Sequence, residues 1–196
     1  DGPIKTISDL KGKKVGFSVG GFEEALLSGM LQKYNLNMSD VDLVNINFSL
    51  SPSLIAKKVD AVIGAFRNFE LNQMDIVNHP GRAFYPEEHG VPTYEELIYI
   101  ANKKNKNNPL FDKFFSAIQK ATLTIINDPV STWKDFSSFR KGLNDELNKR
   151  AYKDTISRFA LRPQAYDLKT YSNFSNFLKR KGIIKKITKV ETFAKP

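Results

Sequence analysis

Val59-Asp60-Ala61-Val62-Ile63-Gly64-Ala65-Phe66-Arg67-Asn68-Phe69-Glu70 governs how the rest of this chain reads. A short apolar run stops at Gly64, and a guanidinium, an amide and a carboxylate follow before the segment ends. That is the pattern of a buried strand delivering polar side chains to its carboxyl end. In open α/β sheets this end is where ligands bind, because loops and helix amino-termini converge there. The stretch predicts a strand over Asp60–Ala65, the third in order, followed by one wall of a small-molecule site.

Working towards the amino terminus, Val15-Gly16-Phe17-Ser18 predicts the first strand. Gly20-Gly21 breaks it, and Glu23–Tyr34 has helical spacing. Asp42–Asn47 alternates as a second strand, and Ser53 caps a predicted helix through Lys58. Working the other way, Phe69–Val77 predicts a helix, Arg82–Tyr85 a fourth strand and Glu96–Ala101 another. Strand and helix alternating at this spacing imply a mostly parallel sheet flanked by helices. After residue 101 the pattern changes to helices: Leu110–Asn127, Asp128 through Phe139, Asn144–Phe159 and Tyr166–Lys181. These helices have apolar faces but no sheet of their own to cover. The expected division is an α/β ligand-binding lobe at 5–95 and a mostly helical segment at 96–196.

Composition excludes several chemistries. The chain has 196 residues and no cysteine, so disulfides, thiolate metal sites and cysteine nucleophiles are absent. Residues 1–100 carry 9 Lys/Arg against 13 Asp/Glu, whereas residues 101–196 carry 21 against 8. The basic half lacks an interleaved aromatic stripe or any nucleic-acid motif, so it reads as a solvated face and no nucleic-acid partner is expected. No apolar run approaches the roughly 20 residues that span a bilayer. His79 and the group Glu87-Glu88-His89 lack a helical His-x-x-x-His partner and read as structural. No catalytic residue, metal or cofactor is expected.

Two motifs carry ligand chemistry. Ser18-Val19-Gly20-Gly21-Phe22-Glu23 joins a strand to a helix, and its N–H groups form a cradle for an anion or polar ligand. The alternative is a tight turn with no ligand. Asn68 and Glu70 suit a flat nitrogen heterocycle with an exocyclic amine, with Phe66, Phe69 and Tyr85 offering ring faces. The alternative there is that Phe69 is core and Glu70 simply opens a helix, where a carboxylate is favoured anyway.

Ile7-Ser8-Asp9-Leu10-Lys11-Gly12-Lys13-Lys14-Val15-Gly16 resembles the opening of the second lobe of bacterial ABC-importer solute-binding proteins. Val59 to Glu70, followed by Glu87-Glu88-His89-Gly90-Val91-Pro92-Thr93-Tyr94-Glu95-Glu96-Leu97, is similar to the thiamin-pyrimidine branch. That branch contains the periplasmic hydroxymethylpyrimidine and formylaminopyrimidine binding proteins and the fungal thiamin-pyrimidine synthases. The resemblance extends through Trp133 and Asn144-Asp145-Glu146-Leu147-Asn148 to Gly182-Ile183-Ile184. It implies a periplasmic-binding-protein type II-like fold and an extracytoplasmic, non-catalytic binding component that presents an aminopyrimidine to an ABC permease. A lipid anchor on the full-length protein is compatible with it. Gly20, Gly21 and Phe22 would border the ligand or a phosphate, and Asn68 and Glu70 would address the pyrimidine with Phe66 beside them. The alternatives are a synthase-like enzyme or a binder of sulfonate, nitrate or a similar solute. The fungal enzymes use a cysteine-rich segment that this chain lacks. Family members carry about 80–100 residues ahead of the Asp-Leu-Lys-Gly-Lys motif, which here starts at Asp9. The expectation is therefore a chain without the first part of lobe one, prone to self-association through the apolar surface left uncovered.

Overall fold

A computed structural model describes residues 2–194. Three short parallel strands form its sheet: β1 (Lys14–Phe17), β2 (Asp42–Asn45) and β3 (Ala61–Val62), in the order β2-β1-β3. Lys14 to Phe17 pair with Asp42 to Asn45, and Val15 and Gly16 pair with Ala61 and Val62. Parallel strands need crossovers, supplied here by α1 (Phe22–Gln32) and α2 (Leu50–Ile55). The crossover α1 leads from β1 to β2 on one side, and α2 carries the chain back past β1 to β3 on the other, which puts the topological switch point between β1 and β3.

The sheet is sealed by its apolar residues. On one side α1 contributes Leu26, Leu27, Met30 and Leu31, all buried, together with Ile7, Leu10 and the central-strand Val15. Elsewhere Ile46, Leu50 and Val59 cluster with Val44, Leu54 and Val62. Gly16 is a packing requirement: a Cβ there would lie 2.8 Å from Ile46 Cδ1 and 3.2 Å from Val62 Cγ1. The helix α3 (Glu70–Ile76) follows β3, and Met74 is its buried residue.

The remaining helices are α4 (Leu110–Asn127), α5 (Pro129–Ser138), α6 (Glu146–Ile156) and α7 (Leu168–Arg180). Asp128 and Asp145 cap α5 and α6 by accepting from the backbone N–H groups of Ser131 and Asn148. The chain divides into two compact units. One runs through Thr93 and takes back Lys169–Thr188; the other holds Tyr94–Leu168 and the chain from Lys189 onward. The sequence pattern groups all of 96–196 together, whereas most of α7 packs on α1. Phe177 is 2% exposed, and its ring fills the space over Gly29, where a Cβ would sit 2.9 Å from it. Lys181 donates to Ser28 Oγ at 3.1 Å and Gln32 Oε1 at 2.6 Å. Burial first, and then the neighbouring Arg180 charge, lowers the Lys181 pKa from the ordinary lysine range.

Several expected elements differ. The third strand shortens to Ala61–Val62 because the chain turns at Gly64, whose φ is +94°. Arg82–Tyr85 forms no strand; Phe84 instead meets the His89 ring edge-on, and Tyr85 lies under the Arg67 guanidinium. Glu96–Ala101 forms none either, since no strand among the described residues is paired with it. Ser53 is a buried residue inside α2, and the N-cap position falls on Ser49. The left-handed pair Asn47 and Phe48 turns the chain earlier than the pattern implies, and Pro52 is tolerated in the first helical turn.

Candidate functional site

The loops that leave the three strands share the carboxyl edge of the sheet, within the first unit. A hydrogen bond joins the first two, and Glu23 brings the first against the third. After β2, Phe48 N–H donates to Ser18 Oγ at 3.0 Å, tying the second loop to the first. After β1, Ser18 and Val19 N–H groups donate to Glu23 Oε2 at 2.7 and 3.1 Å. Glu23 is 7% exposed, and its other oxygen reaches the loop after β3: a Cβ on Gly64 would lie 2.2 Å from Glu23 Oε1. Glycine at 64 is thus required twice, by its positive φ and by the carboxylate beside it.

The expected site residues divide into two groups. Gly20 and Gly21 lie at this edge; Gly21 has φ +80° and nothing within 4 Å of where a Cβ would be. Phe66 is 44% exposed there, directly beyond the Gly64 turn. Phe22 turns the other way, its ring edge-on to Phe174 of α7 at 6.3 Å between centroids. Glu70 accepts the Phe66 N–H with Oε2 at 2.7 Å, closing the turn that opens its own helix. That is the helix-start role the sequence offers as the alternative, and only the second Glu70 oxygen is left out of this bond. Asn68 is half-buried, and its carbonyl accepts from Asn72 Nδ2 at 3.0 Å. Three N–H groups of the anion cradle expected at Gly20-Gly21 are already taken by carboxylates. Glu23 takes the Ser18 and Val19 donors, and Glu24 Oε2 takes the Gly21 N–H at 2.6 Å.

Two residues at this edge carry no clear mark in the sequence. Glu23 has the pattern of an ordinary first-turn carboxylate; its one sequence signal is the spacing of five residues from Ser18 across two glycines. Phe48 follows the second strand with φ +63° and is 71% exposed. A bulky residue in left-handed backbone is strained, and such strain concentrates at functional sites.

Arg67 and the Glu87-Glu88-His89 turn have structural partners. One Arg67 nitrogen lies 2.9 and 3.1 Å from the two Glu87 carboxylate oxygens, and the guanidinium stacks 4.0 Å from the Tyr85 ring centroid. His89 Nδ1 pairs with Tyr34 Oη at 2.7 Å, and Lys33 donates to the Glu88 carbonyl. These contacts pin the loop after β3 and the 86–92 turn to the body of the first unit. A shallow depression lies between Gly90–Pro92 and the Asn173, Asn176 and Arg180 side of α7. No group of three or more acidic or histidine side chains suited to a metal occurs among the described residues. None of their helices is long and apolar enough to cross a membrane.

The fold matches solved binding proteins. The alkanesulfonate-binding protein SsuA of Xanthomonas axonopodis pv. citri, solved with MOPS, superposes with a TM-score of 0.67 at 16% identity, over 97% of this chain and 65% of that one. A Haemophilus influenzae protein named for thiamine biosynthesis is 46% identical over 192 residues, 97% of this chain and 61% of that protein. The formylaminopyrimidine-binding protein of Halalkalibacterium halodurans is 27% identical over 124 residues, 62% of this chain and 38% of that protein. The chain therefore spans less than two thirds of these relatives' lengths. The architecture is that of the periplasmic binding proteins, a parallel sheet flanked by helices. Residues 1–132 match the profile described as NMT1/THI5 like, and the chain belongs to that family.

Proposed function

We propose that this chain is part of the solute-binding component of an ABC importer, that it binds a thiamin-precursor aminopyrimidine outside the cytoplasm, and that it is not an enzyme. The observation that carries the reading is the carboxyl edge beside the switch point. There Phe48, Phe66 and Phe69 are exposed by 71%, 44% and 36%, at the end of a sheet whose own large apolar residues are buried or half-buried. Exposed rings beside open backbone at Gly20-Gly21 suit a flat heterocycle, held by stacking and a few directed hydrogen bonds. Family membership and the similarity to a formylaminopyrimidine-binding protein support the ligand class. Asn68 and the remaining Glu70 oxygen are assigned to the ring edge and its amine.

Calorimetric titration with 4-amino-5-hydroxymethyl-2-methylpyrimidine and with its formylamino counterpart tests this. Saturable heat is expected; silence with these and clear binding of a sulfonate would move the ligand to another class. Phe66→Ala is expected to weaken binding by about 2- to 10-fold, the range of one ring contact of about 0.5–1.5 kcal/mol. Glu70→Gln keeps an acceptor for the Phe66 N–H, so a loss of affinity would report on the ligand and an unchanged value would remove Glu70 from the site.

A second reading is a synthase, since the fungal 4-amino-5-hydroxymethyl-2-methylpyrimidine phosphate synthases are also relatives. Absorbance changes on mixing with pyridoxal phosphate would favour it. We also infer self-association through the apolar surface of the second unit, where Leu97 and Ile100 are 81% and 88% exposed. Light scattering that returns a monomer at all concentrations would remove that inference.

A further inference from the structure

We propose that Glu23 makes the carboxyl edge of the sheet select against anions, so that an uncharged or cationic heterocycle is accepted and its phosphate or sulfonate counterpart is refused. The inference rests on the ligand site proposed above and narrows its substrate class.

In parallel α/β sheets the turn from a strand into a helix is the usual anion site, because backbone N–H groups there have no partner of their own. The turn from β1 into α1 has that shape, yet three of its donors are taken by carboxylates of the chain itself. Ser18 and Val19 N–H groups go to Glu23 Oε2, and the Gly21 N–H goes to Glu24 Oε2. Beyond β3 the Phe66 N–H is likewise taken, by Glu70 Oε2. An arriving phosphate would meet carboxylates in place of the donors it needs.

Glu23 cannot simply swing aside. It is 7% exposed, and the next loop is shaped around it, with Gly64 leaving out the Cβ that would strike Oε1. An anion seated in the cradle would have to expel this side chain, freeing two N–H bonds, or share a poorly solvated space with its charge. A neutral ring meets neither obstacle. The exposed Phe48 and Phe66 faces at the same edge favour it, and they favour a cationic ring further.

The test uses the whole 196-residue chain. Thermal unfolding is followed against sodium sulfate and methanesulfonate, and calorimetry against 4-amino-5-hydroxymethyl-2-methylpyrimidine and its phosphate monoester. For the wild type we expect no saturable rise in Tm with either anion, and at least tenfold tighter binding of the free alcohol than of the phosphate. Glu23→Ala is expected to gain saturable sulfate binding. Glu23→Gln, which retains an acceptor for the turn, is expected to lose most of the discrimination against the phosphate. Wild-type protein that binds sulfate saturably, or that binds the phosphate as tightly as the alcohol, overturns the proposal. A folded Glu23→Ala protein with no gain in sulfate binding does the same. If Glu23→Ala fails to fold, the wild-type anion titration and Glu23→Gln still decide. Failure of every pyrimidine to bind would defeat the aminopyrimidine assignment, while the sulfate titrations would still decide whether Glu23 excludes anions.

Discussion

The two compact units have comparable apolar content and very different interiors. The first buries Leu26, Leu27, Met30, Leu31, Val15, Ile63 and Phe177 around three strands. In the second, Val190 is the one apolar side chain among the described residues that is deeply buried. Leu110 and Phe114, four residues apart on α4, are 62% and 42% exposed, and Phe139 after α5 is 83% exposed. Local signals build the second unit's helices: Asp128 and Asp145 caps, Pro129 at the start of α5, and the Trp133–Tyr152 ring pair at 5.3 Å. The contrast teaches that caps and periodicity can set helix boundaries while leaving the apolar face unspent. Most helical stability comes from packing that face, so the first unit carries the greater share of the stability.

The largest expected effect separates the units directly. Phe177→Ala removes a ring sealed between α7 and α1 and should cost about 3–5 kcal/mol in denaturant unfolding. The matching change Phe139→Ala should stay within about 0.5 kcal/mol. Equal costs at the two positions would break the comparison. Gly29→Ala sharpens it from the other side of the same contact. Alanine is the better helix former by about 1 kcal/mol, yet its Cβ must displace the Phe177 ring, and a net loss of about 1–3 kcal/mol is expected. A stabilised variant would mean that α7 does not rest on Gly29.

Leu97→Ser with Ile100→Ser should leave the unfolding free energy of the chain within about 0.5 kcal/mol per site. The same pair should lower the apparent mass at high concentration, read by light scattering; a large loss of stability would show that these residues are core. The smallest effect is pH-dependent. Asp9 accepts from Lys5 N, Thr6 N and Thr6 Oγ1, and these bonds, Lys5 first, hold its carboxyl below the ordinary 3.8. A depressed folded pKa means that the contribution is present above the ordinary carboxyl value and fades as pH falls through the folded one. Asp9→Asn should therefore flatten the acid limb of first-unit stability slightly and leave the second unit unchanged, as followed by amide exchange.

Much of the first unit is legible in the sequence because its signals are local. Gly20-Gly21 and Gly64 end strands, and the alternation over Asp42–Asn47 contains β2, which stops at Asn45 where Asn47 and Phe48 turn left-handed. Leu110–Asn127 reads as a helix with the bounds it has, since Pro109 and Asp128 mark its two ends. Arg82–Tyr85 and Glu96–Ala101 read as strands but form none, because a strand is completed by a neighbour's hydrogen bonds, which no short window contains. The site is legible by place more than by role. The sheet edge and Phe66 stand where the pattern puts them, but Phe22 packs on Phe174. Glu23, whose partners are Ser18, Val19 and the gap at Gly64, gives no comparable signal.

The residues in order were enough to specify a parallel α/β unit, the carboxyl edge where its loops gather and a run of helices with unpaired apolar faces, since each follows from spacing and chain-breaking residues. Only the tertiary structure decided that α7 returns to α1 and that a carboxylate occupies the cradle after β1. Both depend on groups far apart along the chain, or turned by backbone angles that composition does not encode: Phe177 over Gly29, and Glu23 beside Gly64. Such contacts are settled by which shapes fit together once the sheet exists.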